Sequence, residues 1–307
     1  MAGPGTPEGP AAEAGDRPGA GDLLRIRLDL GYDGTAFSGW AAQAGRRTVE
    51  GALVAGLARV LRRPVETLTL VVAGRTDAGV HATGQVCHVD VPVAAWRAVP
   101  GRGGGDPATS LLRRLAGVLP DDVRVQAAAI APEGFDARFS ALHRRYAYLV
   151  CDHTAGVPPL RRRDVLRYPR PPARPLDVAA MDDAARRMVG LHDFAAYCRR
   201  RRNATTVRTL LEYGWSRDGD GFAAARVVAD AFCHSMVRSL VGAVLAVGEG
   251  RRDVEWPARV LAGRGRDPAV NVVPPYGLTL HEIAYPPDAE LAVRAQQARA
   301  VRALPGG

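Results

Sequence analysis

The sequence predicts an α+β chain folded as two similar-sized lobes with mixed or antiparallel sheets flanked by helices. Strand-like and helix-like segments alternate through both halves. An Asp-Gly pair in "RDGDG" signals a hairpin. No glycine-rich dinucleotide fingerprint follows the first strand, so nothing points to a doubly wound parallel sheet.

The elements follow in order. Leu24, Ile26, Leu28 and Leu30 alternate with Arg25, Arg27 and Asp29, the period of a strand with one wet face. "GYDGTAFSGW" then reads as a turn-rich loop. Thr48 is placed to cap a helix, since Val49, Leu53, Leu57, Val60 and Leu61 recur at helical spacing, and Pro64 is expected to end it. "TLTLVVA" and "VCHVDV" are strands on either side of a tight loop. "RGGGDP" leads into a short helix near 109–118, and "VRVQAAAI" and "HRRYAYLV" are further strands. A long Pro- and Arg-rich connection follows, then a helix over 177–189 and the basic loop "CRRRRN". "LLEYGWS" and "GFAAARVVA" flank the hairpin turn. Helices are expected over 232–247 and 254–262, and "YGLTLHEIAY" is the last strand. The organisation reads as a leader of small residues at 1–22, lobes at 23–132 and 133–286, and an Ala-rich tail at 287–307.

Composition narrows the function. The 307 residues are 47% hydrophobic, enough for a sizeable core, yet no apolar run reaches the roughly 18 residues of a membrane helix. The leader lacks the basic and apolar regions of a secretory signal. Cys87, Cys151, Cys198 and Cys233 are widely spaced, with no Cys-x-x-Cys. That spacing speaks against a disulfide framework and suits a reducing cytoplasm. The net charge is +9, and every basic residue is Arg. Codon bias explains Arg in place of Lys but not the excess of positive charge, so a polyanion partner is indicated.

The chemistry concentrates in "VVAGRTDAGVHATGQVCHVDV". Asp and Gly suit turns for local reasons, and Asp77 alone reads as a turn residue. Flanking strands, however, make a rigid mount of the kind on which functional loops sit. Arg75 can reach back to Asp77 and hold the carboxylate charged and aimed, fit to act as nucleophile or base. His81 and His88 with Cys87 raise a metal reading, but Cys87 and His88 point to opposite faces of a regular strand. A sugar-nucleotide hydrolase would need a second carboxylate, for which Asp90 is the near candidate.

"AGRTDAGVHATGQV" resembles the signature loop of the tRNA pseudouridine synthase A family. "YDGTAFSGW", "FDARFSALHRRYAYLV", "AFCHSMVRSLVGAVLAVGEG" and "PPYGLTL" resemble four more of its segments, in the family's order. The resemblance implies a pseudouridine synthase fold with a central catalytic cleft, and conversion of uridine to pseudouridine at positions 38, 39 and 40 of the tRNA anticodon arm. It implies no metal or other cofactor, and a homodimer. Asp77 matches the catalytic aspartate, Arg75 the arginine that pairs with it, and Arg238 an arginine that approaches it. Tyr146 matches the tyrosine that stacks on the target base, and Leu278 the apolar residue on the base's other side. An inactive tRNA-binding module would share these features. Arg161, Arg162, Arg163 and Arg199, Arg200, Arg201, Arg202 lie on basic loops and are candidates for tRNA phosphates. His234 and Arg238, four apart on the expected helix, could both look into the cleft, although His234 alone reads as a core histidine.

Overall fold

The structure is a computed structural model and describes residues 23–168, 175–199, 205–263, 265 and 267–299. Its strands are β1 (Leu23–Tyr32), β2 (Leu70–Val72), β3 (His81–Pro92), β4 (Val123–Ile130), β5 (His143–Cys151), β6 (Leu166–Arg167), β7 (Gly190–Asp193), β8 (Val207–Arg217), β9 (Ala223–Ala229) and β10 (Leu278–Ala284). Its helices are α1 (Val49–Leu61), α2 (Val93–Arg97), α3 (Pro107–Val118), α4 (Val178–Arg186), α5 (Met236–Gly248), α6 (Trp256–Ala262) and α7 (Leu291–Arg299). The leader at 1–22 and the end of the tail lie outside the described residues, as do Arg200, Arg201 and Arg202.

The strands form one sheet in the order β4-β1-β3-β10-β5-β9-β8-β7, with β2 paired to β3 and β6 to β5. The two halves of the sequence therefore share a sheet, and the last strand joins them. β10 runs parallel to β3, with Thr279 opposite His81 and Leu280 opposite Ala82, and antiparallel to β5, with Leu280 opposite Tyr146. The join demands close backbone approach. A Cβ on Gly84 would collide with the His281 carbonyl oxygen, so only glycine lets β10 settle against β3. The boundary expected near 131–134 falls on the link from β4 to β5.

Local sequence explains most elements. Ile26, Leu28, Leu30 and Tyr32 of β1 are buried on alternate positions, and they join one core that also takes in α1, α3, α5 and α6. Thr48 caps α1 by accepting from the Gly51 N–H at 3.2 Å. The helix stops before Pro64, at Arg62, which adopts a left-handed conformation with φ 52°. Asp106 caps α3 with Pro107 in its first turn. Asp218 closes the β8–β9 hairpin by accepting from the Asp220 and Phe222 N–H groups.

Two expectations fail. The 232–247 helix begins only at Met236, because Ser235 takes a left-handed φ of 62° and breaks the backbone there. His234 thus lies in the loop before the helix. The cysteines do not all stay apart either: Cys198 and Cys233 form a disulfide, with Cα atoms 5.8 Å apart. Sequence spacing hid this contact because packing of the 194–197 turn against α5 and α6 brings residues 35 apart together. Cys87 and Cys151 are free and buried.

His88, raised as a metal ligand, is built into the core. Its Nδ1 accepts from the Ala137 N–H at 3.1 Å, and its ring meets Phe135 edge-on. Burial, reinforced by Arg25, lowers its pKa; burial and Arg145 do the same for His281. Among the described residues no group of three His, Cys, Asp or Glu side chains is placed to hold a metal ion.

Two predictions follow from this packing. Gly84→Ala should lower stability by about 1–3 kcal/mol in denaturant unfolding. Gly103→Ala, where a Cβ meets open space, should change little. Both histidines favour the neutral form when folded, so the unfolded chain takes up protons first on acidification. Their contribution is complete above an unfolded pKa of about 6.5 and is lost as pH falls through the depressed folded values. The urea midpoint should drop as pH falls below about 7, and His88→Asn should flatten that dependence. An unchanged slope in the variant would refute the assignment.

Candidate active site

The loop between β2 and β3 carries Asp77, and its position is fixed mainly through its neighbours. Thr76 is buried, and its Oγ1 shares a hydrogen bond of 2.8 Å with the Tyr32 hydroxyl. Gln85, fully buried on β3, donates through Nε2 to Tyr32 Oη at 3.1 Å and to the Gly74 carbonyl at 2.8 Å. Burial pushes the Tyr32 phenol up to about 12, against its hydrogen bonds with Thr76 and Gln85, so it stays protonated within the network.

The "YDGTAFSGW" segment wraps the same loop. The Trp40 N–H donates to the Thr76 carbonyl at 3.1 Å, and the Gly79 N–H donates to the Phe37 carbonyl at 3.2 Å. Gly39 has φ +93°, and a Cβ there would stand 2.9 Å from the Thr76 oxygen, so this crossing requires glycine. A buried arginine supports the loop's entry. Arg144, on β5, donates to the carbonyls of Ala73 and Arg138 at 2.8 Å and of Asp230 at 2.7 Å.

With Thr76 anchored inward, Asp77 turns toward the start of α5. Its Oδ1 lies 3.4 Å from His234 Nε2 and its Oδ2 lies 3.6 Å from Arg238 Nη1. These separations exceed ordinary hydrogen-bond lengths, so the imidazole and the guanidinium stand beside the carboxylate without closing over it. At 27% side-chain exposure Asp77 remains reachable. Arg238 is fixed from behind, with Nε donating to the Val273 carbonyl at 2.7 Å. His234 is fixed through its backbone: its carbonyl accepts from the Arg199 N–H at 3.1 Å, and Cys233 beside it is bonded to Cys198.

Tyr146 lies on β5 opposite Leu280, buried and edge-on to Phe232 at 5.1 Å. Burial raises its pKa, with Tyr32 and Asp77 adding to the rise, so a protonated phenol lies within the field of the Asp77 carboxylate. Leu278 is buried at the start of β10, just before the residues that pair with β3.

The structure thus brings Asp77, Arg238 and Tyr146 into one region and adds His234 to them. Arg75 behaves differently from the expected pairing. It is exposed, and Asp77 faces His234 and Arg238 instead, because the buried Thr76 between the two residues fixes the turn. Asp90 does not approach Asp77. It is held by Arg25 at 2.8 Å, nine residues along β3 from His81, about 30 Å at the rise of a strand. The basic runs divide. Arg161 is turned to Asp164 and Asp220 and lies over Phe222, whereas Arg162 and Arg163 line a surface recess. The Arg199 side chain is exposed.

Sequence reasoning did not assign Tyr32, Thr76, Gln85 and Arg144. A glutamine in the buried register of β3 and an arginine in the inward register of β5 were the available signals.

The chain is similar to known proteins over most of its length. A family model described as tRNA pseudouridine synthase matches residues 184–286. A tRNA pseudouridine synthase A from Streptomyces griseus is 58% identical over 285 residues, covering 92% of this chain and 96% of its own. One from Frankia casuarinae is 57% identical over 92% of this chain and 97% of its own, and one from Mycobacterium leprae is 49% identical over 93% and 98%. At this identity and coverage, the chain belongs to the tRNA pseudouridine synthase A family.

Proposed function

We propose that this protein isomerises uridine to pseudouridine at positions 38, 39 and 40 of the tRNA anticodon arm, acting in the cytoplasm as a homodimer. The observation that carries the reading is a reachable carboxylate, Asp77, on a rigid loop, with the Arg238 guanidinium and the His234 imidazole beside it and an aromatic residue close by. No described helix is long and apolar enough to cross a membrane.

In the reaction the N1–C1′ bond breaks, the base turns, and a C5–C1′ bond forms. The proton leaves C5 and N1 regains one, so nothing is oxidised or reduced. Asp77 attacks C1′ or takes a proton from the sugar. Arg238 and His234 hold its carboxylate in line, and the Arg238 guanidinium offsets its charge. A base within a stem–loop must first be extruded, at a cost of a few kcal/mol. Stacking on an aromatic face returns about 1–3 kcal/mol, and Tyr146 with Leu278 opposite would supply that slot. Arg75 is exposed on the same loop and would contact the RNA beside the target uridine.

Primer extension on carbodiimide-treated anticodon stem–loops should show stops at 38, 39 or 40 after incubation with the protein. Asp77→Asn should abolish them while leaving stem–loop affinity within about threefold, since the change removes a reacting group and not a phosphate contact. Turnover by that variant would sink the reading. Arg238→Lys keeps the charge but loses the planar fork that reaches both Val273 and Asp77. It should slow single-turnover product formation by about 10²-fold, and His234→Asn should slow it by about tenfold. Wild-type rates in both variants would contradict the assigned roles.

A further inference from the structure

We propose that a recess beside the Asp77 loop is a subsite for one nucleotide flanking the extruded uridine, with its phosphate among Arg162, Arg163 and Arg167 and its base against Tyr276. The inference rests on the proposed action on RNA and adds a second contact point to it.

The recess has a volume of about 470 Å³, within the range of small-ligand sites. Its wall combines three arginines with Tyr276, Thr35 and the apolar Val157 and Val165, and no carboxylate is among the described residues that line it. That combination suits a nucleotide: forked donors for a phosphate, an aromatic face for a base, and aliphatic surface for the sugar. Asp33 stands at the rim, 3.1 Å from Arg163. Burial raises the Asp33 pKa, but hydrogen bonds from Thr35, with His81 and Arg163 nearby, leave it below the usual range. One carboxylate against three guanidinium groups leaves a net positive recess.

Its construction is specific. The run at 161–163 is split by backbone geometry: Arg161 is bound by Asp164 and Asp220, whereas Arg162 and Arg163 turn into the recess. Arg162 is steadied by a 2.8 Å hydrogen bond from Nη1 to the Pro159 carbonyl, and Arg163 by Asp33. Arg167 arrives separately on β6, held parallel to β5. The charges are therefore gathered from two elements rather than left on one solvated tail.

Two turns that carry recess residues also contact the Asp77 loop and the start of β3. Thr35 lies in the 3-10 turn Gly34–Ala36, whose Gly34 N–H donates to His81 Nδ1 at 3.0 Å. Tyr276 lies in the 3-10 turn Pro275–Gly277, whose Pro275 packs on Gly79 and which runs directly into Leu278. A strand whose uridine is drawn toward Asp77 would therefore pass its neighbouring nucleotide across this recess.

The test uses the full-length protein and synthetic anticodon stem–loops in which single linkages near the target uridine carry uncharged methylphosphonates. Dissociation constants are measured for wild type, Arg162→Ala, Arg167→Ala, Tyr276→Phe and Tyr276→Ala. Arg186→Ala, on the solvent side of α4, serves as a charge control. Each recess arginine variant should weaken binding by about tenfold and reduce the slope of log Kd against log salt by about 0.7–0.9, one phosphate's worth. One methylphosphonate beside the target should weaken wild-type binding yet cost nothing further in Arg167→Ala. Tyr276→Phe should bind as wild type and Tyr276→Ala about tenfold worse. Additive losses at every linkage, or Tyr276→Ala binding as wild type, would overturn the subsite. Binding alone decides it, whereas pseudouridine formation by the wild type decides the reaction, so either can fail without the other.

Discussion

The fixed position of Thr76 is the constraint on which the site depends. Asp77 stands on a hairpin connection with no strand neighbours of its own, and an isolated turn would leave it mobile. Thr76 is drawn inward to Tyr32, Tyr32 is held by Gln85, and Gln85 also ties down Gly74. Each such bond contributes only about 1 kcal/mol net, but leaving a buried partner unmatched costs about 1–3 kcal/mol. The network is therefore closed or costly, and it has one geometry. With Thr76 inward, its neighbours Arg75 and Asp77 are left to face outward, Asp77 toward α5 and Arg75 toward solvent.

That local constraint works because the sheet is shared. β10, last in sequence, sits between β3 and β5 and brings Leu278 beside the strand that leaves the Asp77 loop. β5 contributes twice from one face: Tyr146 lies within the field of Asp77, and Arg144 reaches under the loop to the Ala73 carbonyl. Arg238 and His234 come from the far half of the chain. α5 supplies the first, and the loop before it, cross-linked through Cys233, supplies the second. The cleft is thus assembled from widely separated segments, each held by backbone pairing or by a buried polar contact.

Much of this was legible in the sequence. The α+β class followed from alternating periodicities, and Thr48 was recognisable as a cap because a helical apolar pattern begins directly after it. Asp77, Tyr146, Leu278 and Arg238 were reached through ordered motifs. What escaped was set by tertiary contact. The expected Arg75–Asp77 pair treats the turn as a two-residue problem, whereas Thr76 settles it through Tyr32, 44 residues away. The helix expected from residue 232 ignores a left-handed Ser235, which apolar periodicity cannot register. The Cys198–Cys233 bond joins residues that no short spacing rule links. The 161–163 run looked uniform as a charge count, yet its members split between an ion-pair network and an open recess.

Gln85 offers the most direct test of the central claim, that a buried polar network aims Asp77. It touches two ends of the network, has no exposed surface, and lies outside the proposed contacts with RNA. The measurement is the single-turnover rate of pseudouridine formation on a saturating anticodon stem–loop for Gln85→Leu, with affinity and melting temperature determined on the same preparation. The account predicts a folded protein that binds within about threefold of wild type but reacts at least about tenfold more slowly, because the loop loses its fixed orientation. A folded variant that reacts at the wild-type rate would contradict it.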